Sequence, residues 1–174
     1  LYSLLVKFLG RDKRFCVEEP GYSRIRQIYE SNGASCALVG MDEQGIRLAE
    51  LRAKGAQVVH ISPSHHFPTG RIMPISRRYE LLGWANEQPD RYIIEDDYDS
   101  EFRLTGRPIP TMMGIDVSGK VIYMNTFSKS LTPTIRISYM VLPSELVRPF
   151  YEQLGFYSCT VSNFQQYPLA RFIG

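Results

Sequence analysis

The amino-acid sequence predicts an α/β fold in which helices cover both faces of a mostly parallel β-sheet. Short apolar segments rich in β-branched residues alternate along the chain with segments of helical periodicity, as in strand–helix–strand units. The 174 residues contain no low-complexity tract and no Pro/Gly/Ser-rich linker, so we expect a single domain spanning 1–174. The predicted architecture is therefore a three-layer α/β/α domain.

Each element is predicted from its own segment, because the strands are short and apolar and the helices repeat apolar residues every three or four positions. Several helical segments open with serine and close near glycine or asparagine, as helix caps do. Ligand-binding groups of such sheets gather on loops at the carboxyl ends of the strands, so these loops are the expected place of a site. In chain order the expected elements are strand Phe15–Val17, helix Ser23–Ser31, strand Ala34–Val39, helix Ile46–Lys54, strand Ala56–Ile61, helix Ser76–Glu87, strand Arg91–Ile94, strand Val121–Asn125, strand Ile137–Leu142 and helix Ser144–Gly155.

The composition is that of a globular protein, since 44% of the residues are hydrophobic and 22% are charged. No apolar run approaches the roughly 18 residues of a membrane span, so we expect no membrane partner. The net charge is only +2 with both signs interspersed, which places any DNA-binding part outside this chain. Three cysteines without C-x-x-C spacing favour reduced thiols and a cytoplasmic location. Because Leu1 adjoins an amphipathic run, Tyr2–Leu9, the chain is expected to be a segment of a longer protein.

Common nucleotide and calcium motifs are not supported. Gly40–Gly45 has the glycine spacing of a phosphate loop, but the Lys-Ser/Thr pair that would reach phosphate and Mg²⁺ does not follow it. No G-x-G-x-x-G motif occurs either. Asp97, Asp99 and Glu101 alternate like calcium ligands, but Phe102 occupies the position that needs glycine.

The loop that follows the strand Val121–Asn125 combines an amine, hydroxyls and a guanidinium group. Thr126 and Ser128 flank Lys129, and Arg136 follows seven residues later. Hydroxyls and an arginine fork suit a phosphate dianion, and a lysine can form a Schiff base in a site that lowers the pKa of its amine. A solvated surface turn is the other interpretation.

The loop that follows the strand Arg91–Ile94 opens with three acids and a tyrosine, Glu95–Tyr98. A carboxylate buried at a strand end can keep a pyridinium nitrogen protonated, and a tyrosine hydroxyl can hold a phenolic oxygen. A negatively charged solvated turn is the alternative.

Four segments in this order resemble a known family: Glu19–Tyr22, Pro63–Gly70, Glu95–Arg103, and Ser128-Lys129 followed by Arg136. Together they are similar to the class I/II aminotransferases, fold type I of the proteins that depend on pyridoxal 5'-phosphate (PLP). They look most like the aminotransferase-like domain of MocR-type transcriptional regulators of the GntR family. The resemblance extends from about Leu1 to the end of the chain and implies the large domain of a PLP-dependent transferase.

The resemblance also implies a role for each matching residue. Tyr22 would stack on the cofactor ring, and Arg24 would meet an acid group of the effector. The alternatives are an aromatic residue packed at a strand end for Tyr22 and an exposed cation at a helix start for Arg24. The remaining roles are the Schiff-base lysine for Lys129, the acid at the pyridine nitrogen for Asp96, the ring-oxygen tyrosine for Tyr98, the phosphate-binding arginine for Arg136, and hydroxyl helpers for Thr126 and Ser128.

Pro68–Gly70 resembles the Asn-Pro-Thr-Gly turn of aminotransferases, but Phe67 occupies the asparagine position. The contact of that asparagine with the ring oxygen would be lost, and His65 or His66 would substitute, with His66 expected at the cofactor. The histidines could instead suggest a metal site, but no acid or cysteine completes a ligand set at useful spacing, so none is expected.

Two functions follow from the resemblance. In the first, the domain binds PLP and senses a small-molecule amine or amino acid, while a winged helix-turn-helix domain outside this chain binds DNA. In the second, the protein is a true aminotransferase. A homodimer and a further small domain beyond Gly174 are expected in both cases, and a structural α/β module without cofactor is a third interpretation.

Overall fold

A mixed β-sheet forms the centre of the fold in the computed structural model, which describes residues 1–99, 109–131 and 134–173. Among these residues seven strands hydrogen-bond in the order β3-β2-β1-β4-β5-β6-β7. The five inner strands are parallel, and the two edge strands, β3 and β7, are antiparallel to their neighbours. The strands are β1 (Arg14–Glu19), β2 (Ser35–Asp42), β3 (Gly45–Ile46), β4 (Val58–Ile61), β5 (Tyr92–Asp96), β6 (Val121–Thr126) and β7 (Ser138–Val141).

Helices connect the strands and cover the sheet. They are α1 (Tyr2–Leu9), α2 (Ser23–Ser31), α3 (Leu48–Ala53), α4 (Ile75–Asn86), α5 (Met112–Ile115), α6 (Phe127–Ser130), α7 (Ser144–Leu154) and α8 (Asn163–Ile173).

The core is divided between the two faces of the sheet. Successive residues of the inner strands point to opposite faces, so Ile93 packs on one side and Ile94 on the other. Helices α3, α4 and α5 cover the first face, where Leu81 and Trp84 are fully buried. Helices α1, α2 and α7 cover the second, where Leu5 is fully buried. The predicted three-layer α/β/α architecture with a mostly parallel sheet is therefore confirmed.

One predicted boundary is wrong for a local reason. The sequence predicts that a helix begins at Ile46, whereas Ile46 pairs with Met41 in a short antiparallel hairpin and is fully buried there. The helix α3 begins two residues later, at Leu48.

Part of the acidic segment, including Glu101 and Phe102, lies outside the described residues. Within the described part, no helix has both the length and the apolar character that a membrane crossing requires.

Candidate functional site

The candidate site lies at the carboxyl edge of the parallel strands, where two cavities of about 370 and 360 Å³ adjoin. Strands β1, β4, β5 and β6 all end at this edge, so loops that are distant in sequence meet there. Four side chains line both cavities and join them: Tyr2, Asp96, Tyr98 and Lys129.

Lys129 lies on α6, a single helical turn that directly follows β6. The Thr126 hydroxyl caps this turn by accepting a hydrogen bond from the Ser128 amide at 3.2 Å. The Lys129 amine lies 5.6 Å from the centre of the Tyr98 ring, and it makes no hydrogen bond or ion pair with the described residues. The turn thus presents an amine that is available to a ligand.

The second cavity contains the groups expected to bind phosphate. Arg136 lines it together with Thr126 and Ser128, and the Arg136 guanidinium has no partner within the described segments. The two hydroxyls are engaged with the backbone of the neighbouring segment, since Thr126 donates to the Ile137 carbonyl at 3.2 Å and Ser128 donates to the Ile135 carbonyl at 2.7 Å. These bonds hold the Arg136 segment against the lysine turn.

Asp96 ends β5 and is buried. Its Oδ2 accepts a hydrogen bond from the Tyr2 hydroxyl at 2.6 Å and lies within hydrogen-bonding distance, 3.1 Å, of His60 Nε2. No described residue hydrogen-bonds to its second oxygen, Oδ1. The carboxylate is therefore held by one oxygen and has the other available.

Tyr98 follows two residues later and is partly buried. Its hydroxyl donates to the His65 carbonyl at 2.8 Å, and the His65 ring stacks on the Tyr98 ring with centroids 6.1 Å apart. His65 Nδ1 in turn lies 2.6 Å from Asp99 Oδ2. Burial, together with the nearby charges of Asp99 and Asp96, raises the pKa of Tyr98 to about 12, so its hydroxyl keeps its proton at neutral pH.

Two aromatic side chains, Tyr22 and Phe67, line the outer part of the first cavity. Their rings meet edge to face with centroids 6.1 Å apart, and both remain substantially exposed. Arg24 lies 5.9 Å from the Tyr22 ring but lines neither cavity. The structure thus brings Tyr22 into the site and leaves Arg24 beside it.

His66 is buried in the wall of the first cavity and faces Glu18. Its Nδ1 lies 2.8 Å from the Thr69 hydroxyl, and its Nε2 lies 3.6 Å from Glu18 Oε2. Burial lowers the pKa of His66, and burial raises the pKa of Glu18 to about 8. At Gly70 the turn adopts a φ of 68°, in the left-handed region that favours glycine.

A fully buried arginine holds the loops of the site together. Arg78 donates to the carbonyls of Met73 at 3.2 Å, Pro110 at 2.9 Å and Pro63 at 3.0 Å. Its guanidinium also lies 3.7 Å from the carboxylate of Glu95, the residue before Asp96. The loops after β4 and β5 are therefore tied to the same side chain.

Three lining side chains that approach Asp96 or His66 were not predicted from the sequence. Tyr2, Glu18 and His60 approach Asp96 or His66 from α1, β1 and β4. The sequence gives little indication of a site at these positions: Tyr2 lies in an amphipathic run, and a lone histidine such as His60 suggests at most a metal ligand. In the described residues no group of three or more His, Cys, Asp or Glu side chains is arranged to hold a metal ion.

Curated relatives of the chain are mainly transcriptional regulators, and no protein-family model matches the sequence. The chain is 47% identical over 156 residues to the uncharacterized HTH-type transcriptional regulator YdeL of Bacillus subtilis, covering 90% of the chain and 34% of YdeL. It is 37% identical to the probable rhizopine catabolism regulatory protein MocR of Rhizobium meliloti, covering 95% of the chain and 32% of that protein. Over the matched segment the chain is similar to the MocR-type regulators of the GntR family. It spans about a third of the length of these relatives.

Aminotransferases are among the solved structures that are similar to the chain. The multiple substrate aminotransferase from Thermococcus profundus is 31% identical with a TM-score of 0.77, over 91% of the chain and 42% of that enzyme. The kynurenine aminotransferase from Pyrococcus horikoshii, solved with PMP, is 30% identical, also with a TM-score of 0.77 and the same coverage of both chains. The chain thus has the fold of the PLP-dependent aminotransferases.

The side chains at this edge of the sheet fit such a cofactor. PLP has an aldehyde, a ring nitrogen and a phosphate, and the site offers an unpaired amine, a carboxylate with an available oxygen and a guanidinium without a partner in the described segments. These groups are Lys129, Asp96 and Arg136, and Tyr22 and Tyr98 supply aromatic surface between them.

Proposed function

We propose that this chain is the PLP-binding, aminotransferase-like effector domain of a DNA-binding transcriptional regulator. The observation that carries the proposal is the convergence of Lys129, Asp96 and Arg136 on two adjoining cavities at one edge of the sheet. Their available atoms match three separate parts of one cofactor. The regulators among the relatives support the regulatory interpretation.

Each residue would have a distinct part in binding the cofactor. Lys129 would hold it covalently through its amine, and Arg136 would pair with its phosphate while Thr126 and Ser128 keep the lysine turn in place. Asp96 would bind the ring nitrogen and keep it protonated. The remaining contacts would come from Tyr98 and His66 toward the ring oxygen and from Tyr22 toward the ring face.

The bound cofactor would supply an aldehyde for which a primary amine can compete with Lys129. This chemistry suits a small-molecule amine or amino acid as the effector. Tyr22 and Phe67 would exclude water from the reacting groups, because they line the outer part of the cavity. Arg24, beside the Tyr22 ring, would meet an acid group carried by the effector.

The whole protein would couple this event to DNA. The relatives whose names include HTH are about three times longer than the matched segment, and we propose that DNA is bound by a domain outside this chain. We also propose a homodimer located in the cytoplasm.

An aminotransferase is the second candidate, because the chain is 32% identical over 150 residues to the aromatic-amino-acid aminotransferase 1 of Thermococcus litoralis. The same residues would serve both functions. When an amino acid and a second 2-oxo acid as amino-group acceptor are both added, formation of the 2-oxo acid of the first over many turnovers per protein would favour the enzyme over the regulator.

Replacing Lys129 with alanine should abolish covalent retention of PLP by the whole protein. Borohydride reduction of the PLP-loaded wild-type protein should fix the cofactor to the peptide that contains Lys129, as read by mass spectrometry. The control variant Lys54→Ala removes a partly exposed lysine that pairs with Glu50 outside both cavities, and it should load normally. Fixation of the cofactor in Lys129→Ala would contradict the proposal.

A further inference from the structure

Four side chains form a continuous hydrogen-bonded relay that ends on Asp96. The Tyr29 hydroxyl lies 2.6 Å from His60 Nδ1, and His60 Nε2 lies 3.1 Å from Asp96 Oδ2. The Tyr2 hydroxyl donates to the same oxygen at 2.6 Å. Tyr29 is fully buried and His60 is 2% exposed, so water does not compete for these bonds.

The direction of each bond follows from the chemistry of the two ends. An ionised carboxylate only accepts hydrogen bonds, so His60 Nε2 must carry the hydrogen that faces Asp96. A neutral imidazole has a single N–H, which leaves Nδ1 as an acceptor for the Tyr29 hydroxyl. Burial raises the pKa of Tyr29 well above its usual range, and the hydroxyl therefore keeps the proton that it donates.

Other titratable groups face this relay from the neighbouring strands and loops. Glu18 on β1 and Tyr98 after β5 both lie near Asp96, and Lys129 lines the same cavity. Burial raises the pKa of Glu18 to about 8, so this carboxyl group mostly keeps its proton at neutral pH.

We propose that His60 and Tyr29 are positioning residues for Asp96. Tyr29 fixes the ring of His60, and His60 together with Tyr2 fixes Oδ2 of the carboxylate, so that Oδ1 stays available to the ring nitrogen of the cofactor. This inference rests on the proposed function for the identity of that nitrogen. The hydrogen-bonded relay itself does not depend on it.

The first test needs no cofactor. In the whole protein labelled with ¹⁵N-histidine, the His60 signals are assigned by their loss in His60→Gln. We expect a neutral ring with its hydrogen on Nε2 around neutral pH. A hydrogen on Nδ1 alone, or a ring protonated on both nitrogens, would overturn the proposal.

The second test uses the absorbance of the PLP-loaded protein as a function of pH. His60→Phe removes one donor from Asp96 and should shift the midpoint of this titration by roughly one unit, the size expected when a carboxylate loses a charge-assisted hydrogen bond. His60→Gln retains an N–H near the position of Nε2 and should restore most of the wild-type midpoint. Equal shifts in the two variants would indicate a packing effect and would contradict positioning by hydrogen bonding.

The Tyr29→Phe variant keeps the buried ring and removes only the hydroxyl, so it should fold and give a smaller shift in the same direction. The matched control is Tyr92→Phe, because Tyr92 packs against the same core cluster and lines neither cavity. Identical titrations for Tyr29→Phe and the wild type would remove Tyr29 from the proposal. Failure of the wild-type protein to take up PLP would count against the proposed function, while the ¹⁵N experiment would still decide the relay.

Discussion

Asp96 is the residue on which most of the candidate site converges. It lines both cavities, ends a buried strand and accepts hydrogen bonds from Tyr2 and His60 on one oxygen. The groups that we propose to bind phosphate, Arg136 among them, line only the second cavity. In this proposal, cofactor binding and control of the cofactor ring depend on different side chains, so variants should separate the two effects.

Replacing Asp96 with asparagine should weaken the response to amines more than it weakens cofactor binding. The amide keeps the shape of the carboxylate but lacks the charge that holds a ring nitrogen protonated, while Arg136 still binds the phosphate. We expect PLP affinity, measured by absorbance titration, to fall by no more than about tenfold, and the amine-induced spectral change to fall by more.

The control for this variant is Asp97→Asn, because Asp97 is the adjacent buried carboxylate and lines neither cavity. An unchanged amine response in Asp96→Asn would make Asp97 or Asp99 the better candidate for the acid at the ring nitrogen.

Replacing Glu18 with glutamine should stabilise the protein at high pH and have little effect at low pH. Burial raises the pKa of Glu18 to about 8, so the folded protein keeps a proton that the unfolded chain releases above its ordinary pKa of roughly 4.3. Wild-type stability should therefore fall as the pH rises between these two values. Glutamine cannot ionise and removes this loss.

The measurement is urea unfolding of the wild-type and Glu18→Gln proteins at several pH values. The difference in the free energy of unfolding should grow with pH and reach roughly 1 to 4 kcal/mol above pH 8. A difference that is the same at all pH values would show that Glu18 does not carry the shifted pKa.

At the scale of elements, the sequence predicts the helices that are long enough to show a repeating pattern of apolar residues. The predicted bounds of helix α2 agree with the structure, because a clear amphipathic pattern begins at Ser23 and ends just before Asn32. The single turns α5 and α6 have only four residues each, too few for a helical period. Pro168 inside α8 likewise removes the usual signal of a helix.

In the candidate site, too, groups that are close in sequence could be predicted and contacts between distant residues could not. Lys129 and Arg136 were predicted because they lie seven residues apart on one loop. His60 was not predicted as a partner of Asp96, because its two hydrogen-bonding partners lie 31 and 36 residues away along the chain. Contacts of this kind depend on strand order, which the sequence pattern alone does not specify.

At the scale of the whole molecule, the sheet separates two hydrophobic cores that share no side chain. Leu5 on α1 belongs to one core and Leu81 on α4 to the other, and both are fully buried. Both cores support the edge at which the site lies, since the strands between them carry its loops.

Replacing Leu5 or Leu81 with alanine should destabilise the protein by about 2 to 5 kcal/mol each, through lost burial and an unfilled cavity. The double variant should lose approximately the sum, because the two side chains lie on opposite faces of the sheet and share no partner. Urea unfolding of the two single variants and the double variant measures this. A double variant that loses much less than the sum would indicate that the two cores are coupled through the sheet.

The buried Arg78 side chain has a mechanical consequence. One guanidinium hydrogen-bonds to three backbone carbonyls and lies beside Glu95. The segments that carry His66 and Asp96 are therefore held together on one side of the site. The α6 turn on the opposite side is partly exposed and is held to the next segment by the Thr126 and Ser128 hydroxyls and by the Phe127 amide, which donates to the Ile137 carbonyl at 2.9 Å. We therefore expect a bound effector to displace the α6 turn more than the segments that Arg78 holds, so that any conformational change begins at α6.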